Sequence, residues 1–450
     1  MASWKLSRRK FVSTSAAAAA ATVAAPFVRT AGAAGKLSIG MWDHWVPNAN
    51  KAFTTLANEW AEKEKVDINI DFITSQGNKL LLTVAAEAQA GSGHDLITMT
   101  NWQPSEYANK LADVDDVVTE AIKNGGDVST TFKHFGRAGG KWRAVPSSRG
   151  TLSYSSCSRI DLFKQHGNID LQAMFPAGKD PVKDLVDKWT WEEYVKVAEA
   201  CKKAGKPFGL PMGQTADTVQ WVGALFAAYG AQLVDSKGNI TVKSDKVRHA
   251  LEIGKRLMAA LPPEVYAWDD ASNNKWLVSG RGASIFNPPS AWAVAKRDAP
   301  DIAKEIWHHA APKGPEGRFI GTNHFYHALW DFSSNKSAAK SLLRHLSTRR
   351  AAEMFVNASL GYDLPPYATF NDFNVWTEQG PPKGTLTHYP NKGDQQSTIA
   401  AFPAPYEVGQ QIYSQATMPK MLAKVAQENQ PIDKVLDWAA SELEGFTSRR

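Results

Sequence analysis

The 450-residue chain has 51 Lys and Arg against 45 Asp and Glu. Five of those bases (Lys5, Arg8, Arg9, Lys10, Arg29) and no acid fall within residues 1–33, which leaves 46 bases against 45 acids in the remainder. So balanced a body offers no basic footprint for nucleic acid, its two cysteines do not furnish a structural zinc site, and its length exceeds one typical core, so two or more domains are expected.

Residues 1–33 read as an export signal. A basic start is followed by the Ala-rich apolar stretch 11–28, and Ala31-Gly32-Ala33 supplies small residues for cleavage. Ser7-Arg8-Arg9-Lys10-Phe11-Val12 fits the twin-arginine type. No later segment reaches the ~18 uninterrupted apolar residues of a membrane span. No Cys follows the cleavage region, so no lipid anchor is expected. The mature chain is expected in the periplasm.

The mature chain opens with strand 36–41, helix 50–63, strand 66–73, helix 78–90 and strand 95–98. Phe53, Leu56, Ala57 and Trp60 mark one face of the first helix. This alternation predicts a doubly wound sheet, in which ligands sit beyond the carboxyl ends of the strands. The loops there are Trp42-Asp43-His44-Trp45, Thr74-Ser75-Gln76 and Thr100-Asn101-Trp102-Gln103. Strands follow at 141–145 and 152–156. Thr190-Trp191-Glu192-Glu193 is a capping box opening a helix through residue 203. A short strand at 208–211, helices at 221–229 and 245–260, and a strand at 283–286 come next. Beyond Pro312 the pattern restarts with strand 325–332 and helix 337–356, and the tail from 403 reads as helical, interrupted by Pro419 and Pro431. Cys201 falls on the apolar face of its helix; a disulfide to Cys157 stays open in an oxidising compartment.

No phosphate loop, Gly-x-Ser-x-Gly elbow or His-Glu-x-x-His motif occurs, and Gly280-Arg281-Gly282 lacks the third glycine of a dinucleotide fingerprint. His324 and His327 would face opposite sides of a strand, which disfavours a shared metal. No metal or cofactor is expected.

A series of local motifs carries a resemblance. Gly93-His94-Asp95-Leu96-Ile97, Gly140-Lys141-Trp142-Arg143-Ala144-Val145-Pro146, Thr190-Trp191-Glu192-Glu193 and Ser279-Gly280-Arg281-Gly282-Ala283-Ser284 through Trp292 appear in order. Ser333-Ser334-Asn335-Lys336 with Ala338-Ala339, and Gly361 with Pro365 and Pro366, complete the series. Their order and spacing resemble the bacterial extracellular solute-binding proteins of the maltose-binding-protein-like family. That resemblance implies an α/β fold of two lobes, each a mainly parallel sheet flanked by helices, with a hinged central cleft. The lobes would fall at 36–146 plus 312–366 and at 147–311 plus 367–450. It implies the sugar-binding subunit of an ABC importer: a monomer that closes on a small carbohydrate, delivers it to membrane permease subunits and catalyses nothing.

A sugar presents hydroxyls at its edge and C–H groups on its faces, so rings and hydrogen-bonding side chains should line its cleft. The candidates are Trp42, His44, Trp45, Gln76, Asn101 and Trp102 on the first lobe, and Arg149, Gln214, Asp217, Trp221, Asn287 and Trp292 on the second. His324 and Tyr326 join them by family position, and Tyr362 and Asp363 as the residues that follow the helix ending at Gly361. Trp142, Trp189 and Trp307 read as core. For Asp217 and Asp363 the competing reading is a helix or turn cap. Arg149 pairs with a core acid or, if it faces the cleft, favours an acidic ligand. The identity of the sugar stays open. The alternative is a periplasmic carbohydrate-active enzyme, which needs two carboxylates about 5–10 Å apart across one bond.

Overall fold

The computed structural model describes residues 35–390 and 392–447; the signal expected over residues 1–33 lies outside them. Around one five-stranded sheet the order is Asp67–Ile73, Lys36–Trp42, Leu96–Thr100, Phe325–Leu329, Ala144–Pro146. The first three strands are parallel, and Phe325–Leu329 runs antiparallel to both its neighbours. Helix Pro47–Glu64 packs on this sheet by burying Phe53, Leu56, Ala57 and Trp60, an i, i+3, i+4, i+7 stripe. It stops at Lys65, whose left-handed backbone (φ 56°) lets its N–H bond Ala61 O.

A second sheet is built from Ile306–His309, Ser156–Arg159 and Ser284–Phe286. Here the pairs are antiparallel rather than parallel. The central strand runs away from the crossing between the lobes, while its two neighbours run back toward it. Helices Trp191–Lys203, Asp245–Ala259, Thr417–Ala426 and Ile432–Thr447 pack with one another beside it. The fold is thus two-lobed α/β.

Between the sheets, Gly317–Asn323 pairs antiparallel with Leu152–Ser153 and parallel with Gln395–Thr398. Helix Ala216–Ala228 lies against this strand so closely that a Cβ at Gly321 would stand 2.7 Å from Gln220 O. Past residue 366 the chain still packs beside the first sheet. Ala368 and Thr369 donate N–H bonds to Asp127 O and Gly125 O, and the chain reaches the second sheet at Thr385, whose carbonyl accepts from His308 N–H.

Several local expectations change. The helix expected over 337–356 is two helices, Lys336–Leu346 and Arg349–Ala358. They are separated where Ser347 Oγ bonds back to Leu343 O and Thr348 caps the second helix. Residues 208–211 form no strand; Gly209 N–H merely donates to Ser284 O. Pro419 sits in the first turn of helix Thr417–Ala426, where its missing N–H costs nothing. The Thr190 cap is present, its Oγ1 accepting from Glu193 N–H at 3.2 Å. Cys157 and Cys201 are buried free thiols, and burial pushes that of Cys201 up to about 12. Trp142, Trp189 and Trp307 are core.

Candidate functional site

Where the carboxyl ends of the first sheet face the second, a cavity of about 350 Å³ opens. One wall is aromatic. Trp42 ends its strand and packs at 4.9 Å from Phe325 and 6.3 Å from Tyr362, ring centre to ring centre. Trp102 lies edge-on to Phe135 (4.5 Å) and His134 (5.7 Å). Its indole Nε1 is buried and has no hydrogen-bond partner. Trp45, half-buried, and Leu81, exposed, stand nearer the mouth.

The facing wall is polar. Gln214, Thr215 and Asp217 line the cavity from the entry and first turn of helix Ala216–Ala228. Asp270, Asn274 and Asn287 join them. Asn287 Nδ2 donates to Asn274 Oδ1 (2.6 Å) and Ser290 Oγ (2.9 Å), which fixes its amide. Asp217 Oδ2 accepts from Asn273 Nδ2 at 2.8 Å, and Asp217 N–H reaches Asp270 Oδ1 at 3.5 Å. Burial, then the neighbouring Asp270 charge, pushes the Asp217 carboxyl well above the usual carboxylate range. Burial raises Asp270 as well. Tyr154, Asn323 and Tyr362, with Gln410 and Tyr413 from helix Tyr406–Ser414, close the floor and one side.

Of the sequence candidates, the structure brings Trp42, Trp45, Trp102, Gln214, Asp217, Asn287 and Tyr362 together on this cavity. Nine others do not line it. His44 is fully buried behind Trp42 and Tyr362, at 4.6 and 4.7 Å from their rings, with Nε2 2.9 Å from Asp363 Oδ1. Asp363 also accepts the Gly150 N–H at 2.8 Å, so it ties the loops rather than meeting a ligand. Arg149 is buried too. It donates to Trp42 O (2.9 Å) and Asn50 and lies 5.5 Å over the Phe53 ring, so it presents no charge to the cavity.

Asn101 adopts φ 46° and spends its amide on Asn323, Tyr413 OH (2.9 Å) and the His324 N–H (2.9 Å). Tyr413 OH also accepts from Gln220 Nε2 at 3.3 Å, so a buried polar cluster braces the cavity floor. Gln76 is exposed in a short turn. Trp221 and Trp292 point into the core, where their indole N–H groups reach Pro211 O (2.8 Å) and Pro381 O (3.4 Å). His324 stacks on Phe132 at 3.7 Å with Nε2 2.7 Å from Thr131 Oγ1, and Tyr326 OH donates to Phe132 O.

Sequence reasoning missed Tyr154, Asp270, Asn274, Asn323, Tyr413 and Glu106, the last at the exposed rim. Asp270 had a signal, since Asp269-Asp270-Ala271-Ser272 reads as a turn into a helix. Tyr413 had none: only the folded chain brings helix Tyr406–Ser414 to the cleft.

The site sets rings on one side against fixed amides and carboxyl groups on the other. No three His, Cys, Asp or Glu side chains gather as metal ligands among the described residues. Nor is any described helix long and apolar enough to cross a membrane. The sequence model of the bacterial extracellular solute-binding proteins matches residues 46–353. No curated protein matches the chain by sequence. Among solved structures, maltose-bound MalE3 of T. maritima superposes with a TM-score of 0.71 at 16% identity, covering 91% of this chain and 99% of that one. A sugar transporter from Arthrobacter chlorophenolicus with bound laminaribiose gives 0.69 at 14% identity, covering 91% and 99%. An ABC transporter solute-binding protein from Agrobacterium radiobacter in complex with ribitol gives 0.68 at 16%, covering 92% and 99%.

Proposed function

The chain belongs to the bacterial extracellular solute-binding protein family, and we propose that it is the periplasmic sugar-binding subunit of an ABC importer. The observation that carries this reading is the cavity itself, where Trp42, Trp102 and Tyr362 offer ring faces and Asn287, Asn323, Gln214 and Asp217 offer hydrogen-bonding edges. Ring faces suit the C–H surfaces of a pyranose or polyol, and fixed amides suit its hydroxyls. Structures of similar fold that hold maltose, laminaribiose and ribitol support the same class of ligand.

In this reading the protein is exported by the twin-arginine-type leader in residues 1–33, works as a monomer, and releases its ligand intact to permease subunits. We place the first lobe at 36–146 plus 324–373 and the second at 152–311 plus 385–447, with the crossings between them. The ligand touches both walls only when the lobes approach, so binding shifts the population toward the closed form.

A thermal-shift screen against mono-, disaccharides and polyols tests the reading. A ligand that binds only the native state adds RT ln(1 + [L]/Kd), about 2.7 kcal/mol at a hundredfold excess over Kd. A rise in Tm with one stereochemical series supports carbohydrate capture. No shift with any carbohydrate rejects it, and release of cleavage products from oligosaccharides would replace it with an enzyme.

A further inference from the structure

The cavity's charges are one-sided. Glu106, Asp217 and Asp270 line it, and no Lys or Arg does among the described residues. Asp217 is buried and faces Asp270, Asn273 and Tyr154; Asp270 faces Thr215, the Asp217 N–H and Asp269. None of those groups is cationic. Burial and their nearness to each other resist the ionisation of these two carboxyls, and a cation brought against them would favour it. Arg149, the one cation that sequence placed near this cleft, is committed to Trp42 O and Asn50 behind the aromatic wall.

A second, separate observation points to a ligand with oxygens as well. The Trp102 side chain lines the cavity, is 2% exposed, and holds its Nε1–H without an acceptor. Such a donor takes an acceptor that the chain itself does not supply, a water or a ligand oxygen.

We propose that the preferred ligand is a sugar carrying a protonated amine, its ammonium set against the Asp217–Asp270 pair and a hydroxyl accepting from Trp102 Nε1. This deepens, and rests on, the carbohydrate reading above. An ammonium donates three hydrogen bonds and supplies the positive charge missing from that wall. A carboxylate-bearing sugar meets three acids and no counter-ion.

Calorimetry with glucosamine, N-acetylglucosamine, glucose and glucuronic acid, and with the β-1,4-linked disaccharides of the first three, separates the cases. The amine form is expected to bind at least tenfold more tightly than the matching acetylated and hydroxyl forms, with glucuronic acid the weakest. Asp217→Asn, and independently Asp270→Asn should the first fail to fold, is expected to bring that ratio to within about threefold. Equal or tighter binding of the neutral forms overturns the amine preference and leaves carbohydrate capture standing. Binding by glucuronic acid alone does the same, and binding by no sugar defeats both readings.

Discussion

His44 and Asp363 meet 2.9 Å apart, both side chains fully shielded from solvent, behind the rings of Trp42 and Tyr362. The tautomer follows from the other nitrogen. Val46 N–H donates to His44 Nδ1 at 2.9 Å, so the ring proton sits on Nε2 and is given to Asp363 Oδ1. The same oxygen takes the Gly150 N–H, while Oδ2 has no partner. Two residues 319 apart in sequence thereby join the loop after the first strand to the crossing segments.

That geometry separates two substitutions. Asp363→Asn keeps a carbonyl oxygen for both donors and replaces only the unpartnered oxygen, so it should change stability by less than about 1 kcal/mol. Asp363→Ala leaves the His44 and Gly150 N–H groups buried and unsatisfied and should cost about 2–5 kcal/mol. Urea unfolding of the two variants checks this. Equal losses would show that the carboxylate charge, not its acceptor oxygen, is what matters.

The indoles divide into two classes by position. Trp42→Ala and Trp102→Ala remove cavity walls and should weaken ligand binding by about 1–3 kcal/mol. Trp292 is 0% exposed and packs inside the second lobe. Trp292→Ala should instead lower folding stability by about 3–5 kcal/mol with little change in affinity measured below its Tm. A selective affinity loss in Trp292→Ala would move the site.

That division also marks how far the sequence could be read. Trp42 and Trp102 were legible because the strand period and the rule of carboxyl-end loops are local. Asn287 was legible for the same reason. Trp292 was misread because its loop turns at once into helix Ser290–Asp298, and the third residue of that helix faces inward. Arg149 and Asp363 were found as important but not as to role, since their partners Trp42, Asn50 and His44 lie a hundred or more residues away in most cases. Asp270 and Tyr413 reach the cavity only through the folding of the second lobe, which no local period encodes. The helix break at Ser347 was hidden because both halves share one amphipathic pattern.

Acid should destabilise the protein ahead of the carboxylates. Burial pulls His308, His309, His324 and His327 down to about 3, from an unfolded value near 6.5. Groups with a depressed folded value contribute stability that is fully present above pH 6.5 and is lost as pH falls toward 3, because the unfolded chain takes up the protons first. Asp217 and Asp270, raised in the fold, act in the opposite sense and favour the folded state at low pH. Four histidines outweigh them, so Tm should fall steadily between pH 6.5 and 4. His324→Phe, which retains the stack on Phe132, should flatten part of that fall. A Tm independent of pH over this range would contradict the buried neutral histidines.

Gly409 offers a test of closure itself. It sits in helix Tyr406–Ser414, which packs on helix Ile432–Thr447 of the second lobe and touches Gln103–Glu106 of the first. A Cβ there would stand 2.2 Å from Trp102 Cη2, so Gly409→Ala cannot share this arrangement with the present indole. Overpacking of that kind costs about 1–3 kcal/mol. In an open form the two lobes part and the clash disappears, while alanine in a helix gains about 0.5–1 kcal/mol over glycine. Gly409→Ala is therefore expected to leave the Tm of the ligand-free protein unchanged or slightly raised, and to weaken sugar binding by about 1–3 kcal/mol. Calorimetry and ligand-free melting of the one variant read both signs. A fall in ligand-free Tm with affinity intact would mean that the helix and Trp102 stay in contact throughout, and that closure takes place about some other contact.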